Sequence, residues 1–332
     1  TGSISDNTPN NNKTLVNGVN LGRHLFYDKR LSKNNTIACA SCHLQEFAFT
    51  DTARFSKGYL GELTRRNSMA LINMRWSPSF FWDSRAATLE EQILIPIQDQ
   101  IEMGMTLDEM VTKLEGIGEY ESLFEKAFGD KGVSSERVSK AISQFVRTLV
   151  SQNSRYDEAN EKGIEAVFTQ EEQLGYQLFK THSDPSNPRY NLPDSPGRGA
   201  NCADCHTLNT PSLSNFKITN NGLDTLYSDK GYGEHNSADK WQATFKTPGL
   251  RNIELTAPYM HDGRFKTLRE VIDHYDSHIQ EHRNLDNDIV IAGNYSPMKL
   301  DLLDYEKDAI IAFLKTLTDE KFINDERYSD PW

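Results

Sequence analysis

Cys39-Ala40-Ser41-Cys42-His43 and Cys202-Ala203-Asp204-Cys205-His206 are two copies of one pattern, C-x-x-C-H, and together they use all four cysteines of the 332-residue chain. The pattern is the attachment site of c-type haem. Each thiol adds to one vinyl group, and the adjacent histidine reaches the iron as proximal ligand from the same short turn. A lone C-x-x-C would equally suit a redox dithiol, a zinc site or a disulfide; a histidine directly after both pairs favours two covalent haems, one on Cys39, Cys42 and His43 and one on Cys202, Cys205 and His206. Haem is attached in this way outside the cytoplasm, so a periplasmic protein, or an exported and surface-tethered one, is expected. The chain opens at Thr1 without a charged-then-apolar leader, as if a signal peptide had been removed or left out. Residues 1–14, rich in Asn, Ser, Thr and Gly, read as a flexible leader.

The charge supports a small or basic partner. The chain carries 36 Lys+Arg against 48 Asp+Glu, a net charge of −12, which argues against nucleic acid or an anionic membrane surface. Its longest apolar stretches, 93–95 and 309–314 among them, fall far short of the roughly 18 residues a membrane span needs.

Working outward from the two sites, an internal repeat emerges. Leu21-Gly22-Arg23-His24-Leu25-Phe26 precedes the first site and Leu174-Gly175-Tyr176-Gln177-Leu178-Phe179 the second, while Phe145-Val146-Arg147-Thr148-Leu149 and Phe313-Leu314-Lys315-Thr316-Leu317 follow them. Val138, Ile142, Phe145, Val146 and Leu149 recur at helical spacing, as do Ile310, Phe313, Leu314 and Leu317. The repeat predicts an all-α fold of two cytochrome c-like domains, 15–158 and 159–332, joined near 153–163. Long loops are expected at 183–201, with four prolines, and at 219–240.

The sixth iron position separates a carrier from an enzyme, because a carrier fills it with Met or His and an enzyme leaves it open. No histidine stands between His43 and His182, so only Met69, Met74, Met103 or Met105 could cap the first iron locally. The segment from Gln92 through Pro96 to Glu102 offers a distal acid-base group instead. Taken alone, Glu102 beside Met103-Gly104-Met105 reads equally well as a solvated loop carboxylate.

Both C-x-x-C-H sites, Phe81-Trp82-Asp83-Ser84-Arg85-Ala86, the Gln92, Pro96 and Glu102 set, and Leu255-Thr256-Ala257-Pro258-Tyr259-Met260-His261-Asp262-Gly263 resemble the bacterial dihaem cytochrome c peroxidases and the related MauG maturation enzymes. The resemblance runs from about Leu21 to Leu317. It implies a tryptophan, Trp82, between the haems, and a calcium ion held by the Asn67 side chain and the carbonyls of Thr256 and Pro258. It also implies catalytic roles at the first haem. Glu102 would move the proton during peroxide cleavage, Gln92 would orient the bound oxygen, and Pro96 would keep other ligands off the iron. Where activated peroxidases carry a capping histidine, eight positions before Asn67, this chain has Tyr59. The first haem is therefore expected to be open and high-spin even when oxidised.

For the second haem, Met260, His261, His274, Tyr275 and His278 compete as sixth ligand. Thr267 and Glu270 form a capping box that starts a helix with Leu268, Val271, Ile272 and Ile279 on its apolar face. Helical spacing puts Tyr275 and His278 on that face and turns His274 about 100° away. The resemblance selects Tyr275, fourteen residues after His261, where ordinary members have Met and MauG-like members Tyr. A phenolate favours higher oxidation states of iron than a thioether does.

The resulting expectation is a dihaem peroxidase that reduces hydrogen peroxide at the N-terminal haem and holds the second oxidising equivalent, passed through Trp82, on a His206/Tyr275 haem. Its electrons would come from a small cytochrome c or copper protein. The alternatives are a MauG-like oxidase that modifies a protein substrate and a non-enzymatic dihaem electron carrier. The tryptophan that MauG uses six positions before the second haem histidine is Ala200 here, so transfer by that route is not expected.

Overall fold

A computed structural model describes residues 5–183, 198–291 and 296–332. The predicted loop at 183–201 therefore falls mostly outside the described residues, as do the first four residues of the predicted leader. The described fold is mostly helical. Its strands are two short antiparallel ones, Ile218–Thr219 and Phe245–Lys246. No helix among the described residues is long and apolar enough to cross a membrane.

The chain divides into two compact units, one of residues 1–81, 86–151 and 321–332, the other of 82–85 and 152–320. In the first, helix Val16–Tyr27 crosses helix Ser135–Thr148. Leu21, Leu25 and Phe26 meet Val138, Ile142, Phe145 and Leu149, all fully buried, and the rings of Phe26 and Phe145 lie 5.2 Å apart. The helices approach this closely because residue 22 is glycine: a Cβ there would stand 1.9 Å from the Ala141 carbonyl oxygen and 3.0 Å from the Phe145 Cβ. Helix Leu89–Gln98, opened by a Thr88/Glu91 capping box, is tied to the same scaffold by the buried Arg147, which donates to both Glu90 oxygens at 2.7 and 2.9 Å.

The second unit repeats this arrangement with different residues. Helix Gln170–Lys180, capped by Thr169 and Glu172, crosses helix Asp304–Lys315. Gly175 sits at the crossing, where a Cβ would again lie 1.9 Å from a carbonyl oxygen, that of Ala309, and 2.9 Å from the Phe313 Cβ. The rings of Phe179 and Phe313 are 5.1 Å apart. The Leu-Gly-x-x-Leu-Phe and Phe-x-x-Thr-Leu motifs are thus the two sides of one helix crossing, built twice.

The units do not follow the repeat segment for segment. Position 158/159 lies inside helix Arg155–Lys162, so the stretch predicted as a join is helical and begins the second unit, with Tyr156 packed on Phe313 at 5.9 Å. Residues 321–332 belong to the first unit. There Phe322 and Tyr328 meet Phe49 edge-to-face, with ring centres 5.8 and 6.5 Å away, and the Tyr328 hydroxyl donates to the Thr148 carbonyl.

Gly175→Ala is expected to force the crossing apart and lower stability by about 1–3 kcal/mol, the usual cost of overpacking. Gly118→Ala serves as the control, since a Cβ there meets nothing within 4 Å. Urea unfolding of the two variants checks this, and equal midpoints would contradict the close-approach role of Gly175.

Candidate functional site

In the first unit, Cys39, Ala40 and Ser41 form a tight 3-10 turn, and the His43 amide donates to the Cys39 carbonyl at 3.1 Å. Ala48 and Phe49 adopt left-handed φ values of 56° and 60°, a turn that brings the Phe49 carbonyl to 2.8 Å from His43 Nδ1. An Nδ1–H donated there leaves the lone pair on Nε2, the tautomer a metal-binding imidazole needs. Burial lowers the His43 pKa, so the ring is held neutral. The two thiols are not in a disulfide. Burial pushes Cys39 up to about 12 and Cys42 up to about 11, and the nearby Glu102 carboxylate pushes both the same way.

Glu102 is thus within electrostatic reach of both thiols. Gln92 and Pro96 stand one turn apart on helix Leu89–Gln98, off the buried stripe of Leu89, Ile93 and Ile97. Proline has no N–H to extend the helical ladder, and the chain turns soon afterwards, where Asp99 accepts from the Ile101 and Glu102 amides at 2.8 and 3.3 Å. Tyr59, at the capping-histidine position, packs on this segment. Its amide donates to the Glu102 carbonyl at 2.9 Å, and a Cβ on Gly104 would fall 2.3 Å from its ring. Met103 and Met105 are buried in the hydrophobic core of this unit.

In the second unit, Cys202–Cys205 is a single helical turn, and the His206 amide donates to the Cys202 carbonyl at 2.8 Å. Burial pushes both thiols up to about 12. Burial also drives His206 down to about 4, with the Leu213 and Pro248 carbonyls offsetting part of the fall. Its Nδ1 is buried and makes no well-formed hydrogen bond, although the Leu213 and Pro248 carbonyls lie close enough to act on the ring. Two unbridged thiols and one neutral imidazole on a single turn, present in each unit, are the donor set of a covalently held haem.

The helix carrying the competing ligands departs from its expected periodicity. After Leu268–Asp273, with the predicted Thr267/Glu270 capping box, the chain widens into a π-helix, His274–His278. The changed register corrects the placement of two histidines. His274 is buried, with Nε2 2.9 Å from the Asn221 carbonyl, whereas His278 is exposed, with Nδ1 2.8 Å from the Asp273 carbonyl. His261 is buried and stacked on Phe245 at 3.8 Å. Tyr275 sits inside the π-turn, and the Cys205 and Cys202 thiols are among the groups that add to burial in raising its phenol pKa. Its hydroxyl lies 3.3 Å from Asn221 Nδ2.

Trp82 is grouped with the second unit, where its carbonyl accepts from the Lys246 amide at 2.7 Å. The next residue, Asp83, is buried and pairs with Arg85 at 2.9 Å and with His235 Nε2 at 3.2 Å. Lys246 was not singled out by sequence reasoning. Nothing in its local pattern marks it, because its burial comes from long-range packing. That burial draws its pKa down to about 7 against the pull of Asp83. The folded unit then binds fewer protons than the unfolded chain between pH 7 and about 10, so this group makes stability rise with pH across that window. Lys246→Met is expected to flatten that rise, and denaturant midpoints measured at pH 7 and 9.5 test it.

Of the remaining predicted residues, Asn67 donates its amide to the carbonyls of Ala53 and Arg54 at 3.2 and 3.3 Å. In the second unit the Thr256 hydroxyl bonds the Ile253 carbonyl at 3.2 Å, and Pro258 lies two residues further on.

Known proteins resemble this chain in sequence and fold. The family profile described as di-haem cytochrome c peroxidase matches residues 16–164. Methylamine utilization protein MauG of Methylophilus methylotrophus is 30% identical, over 93% of this chain and 84% of its own. Cytochrome c551 peroxidase of Nitrosomonas europaea is 33% identical, over 91% and 80% respectively. A solved structure of a MauG-like protein associated with microbial copper homeostasis superposes with a TM-score of 0.83 at 34% identity, covering 98% of this chain and 96% of that one.

Proposed function

Because this chain belongs to the dihaem cytochrome c peroxidase and MauG family, oxidoreductases acting on peroxide, we propose that it reduces hydrogen peroxide at a haem on Cys39, Cys42 and His43, with Glu102 as the proton-transferring residue. What supports this reading is the family match, whose profile spans Cys39, Cys42, His43, Gln92, Pro96 and Glu102. Bound haem iron would supply the redox chemistry that breaks the O–O bond. Glu102 then takes the proton from one peroxide oxygen and returns it to the other, so that the departing oxygen leaves as water. Gln92 would orient the peroxide by hydrogen bonding, and Pro96 would present an aliphatic ring with no donor atom to compete for the site. Two electrons and two further protons complete the reduction to a second water.

The rest of the reading follows the second unit. Tyr275 would share the second haem with His206, and Trp82 would carry electrons towards the first. With no histidine at position 59, the first haem is proposed to remain open when oxidised. Electron paramagnetic resonance of the oxidised holoprotein tests this: one high-spin and one low-spin signal are expected, and two low-spin signals would overturn the open site. A calcium ion on Asn67, Thr256 and Pro258, and export to the periplasm or cell surface, are also proposed, both from sequence alone. Removing calcium with a chelator should lower peroxide turnover, and readdition should restore it.

Tyr275 favours a second reading, protein modification of the kind in MauG, since it stands fourteen residues after His261, where MauG-like members carry tyrosine. Rapid turnover with a reduced small cytochrome or copper protein supports peroxide reduction. Slow turnover with a long-lived oxidised state after stoichiometric peroxide supports modification of a protein substrate.

A further inference from the structure

We propose that Asn221 is the positioning residue that selects Tyr275 over Met260 as the sixth ligand of the second haem, through one side-chain amide that donates to the tyrosine oxygen and engages the methionine sulfur. The inference rests on the reading of Tyr275 as a ligand and adds what fixes it there. Asn221 Nδ2 lies 3.3 Å from Tyr275 Oη and 3.4 Å from Met260 Sδ. Both candidate donors to iron therefore meet at one amide, and the two contacts have opposite consequences. An N–H donated to a phenolate stabilises its negative charge and fixes its direction. The same group held against a thioether keeps a softer ligand from turning towards the iron.

The backbone around Asn221 holds that amide in place. The His274 ring bonds the Asn221 carbonyl at 2.9 Å, so consecutive residues of the π-turn grip one asparagine at its main chain and its side chain. The preceding Asn220 is fully buried, donating to the Ala243 carbonyl at 2.6 Å and accepting from the Gly222 amide at 2.8 Å. Gly222 has φ 68°, and a Cβ there would meet the Ile279 side chain at 2.5 Å. The Gln280 amide closes the clamp by donating to the Gly222 carbonyl at 2.8 Å. The loop 220–222 is thus buttoned onto the end of the π-helix, and Asn221 has little freedom to point elsewhere. An α-helical continuation would turn successive side chains about 100° apart; the wider π-turn lets His274 and Tyr275 reach the same loop.

The test reads the absorption and magnetic circular dichroism spectra of oxidised holoprotein. Asn221→Asp is nearly isosteric and replaces the donor by an acceptor, whereas Asn221→Leu removes both. Each is expected to lose the phenolate-to-iron charge-transfer signature and gain the near-infrared signature of a thioether-ligated haem. Asn221→Gln, which keeps the amide, should retain part of the phenolate signature. In the Asn221→Leu/Met260→Leu double variant the thioether signature should vanish. Unchanged spectra in Asn221→Asp and Asn221→Leu would overturn the proposal, as would loss of the phenolate signature with no thioether in its place. Tyr275→Phe is the separate control: a spectrum identical to that of the parent would remove Tyr275 as ligand and defeat the underlying reading, whatever Asn221 does.

Discussion

Holoprotein carrying Glu102→Gln is expected to lose peroxide turnover by about 10²–10⁴-fold, the usual contribution of a positioned acid-base group, equivalent to about 3–5 kcal/mol of barrier. The amide keeps the size and hydrogen-bonding capacity of the carboxylate but cannot accept a proton from one oxygen and pass it to the other. The backbone contacts of residue 102, to Asp99 and Tyr59, do not involve its side chain, so the turn that carries it should survive the substitution. Stopped-flow mixing with peroxide measures the rate directly. A Glu102→Gln enzyme that turns over within a factor of two of the parent would move the proton-transfer role to another group.

On the proposed ligation of the second haem by Tyr275, Tyr275→Met should shift the potential of that centre strongly. A thioether in place of a phenolate stabilises ferrous over ferric iron, and a rise in midpoint potential on the order of 0.1–0.5 V is expected, inside the ~0.8 V range that axial ligands span. Peroxide added to the oxidised variant should then no longer leave a stable oxidising equivalent on that haem. Spectroelectrochemical titration of the two haems checks the shift. A second-haem potential equal to the parent's would mean that Tyr275 is not bound to iron.

The sequence made the helix crossings legible because each is coded within a dozen residues on each side. Leu21, Gly22, Leu25 and Phe26 reappear as Leu174, Gly175, Leu178 and Phe179, and glycine occupies the point where the facing backbone leaves no room for a Cβ. The haem-binding turns were legible for the same reason, being contiguous motifs. What could not be read depends on partners distant in the chain. Lys246 looks like an ordinary exposed lysine until Trp82 and Asp83 are brought to it, and no local pattern says that Tyr328 packs on Phe49. The inversion of His274 and His278 has another cause. Face assignments from the sequence assume 3.6 residues per turn, and a single π-turn shifts every later residue around the axis. Tyr275 sits inside that turn, so the position of most chemical interest is where the periodic argument is weakest.

The return of residues 321–332 to the first unit sets the order in which the molecule can be finished. Phe322 and Tyr328 are part of the core around Phe49, and Arg23 donates to the Ser329 carbonyl. A chain emerging from its N-terminus, from a ribosome or a translocation pore, can form the second unit's helix crossing as soon as Lys315 is out. The first unit must wait for the residues that follow. The earlier-made half can form its own helix crossing once Thr148 is out, but its core is completed only by residues 321–332.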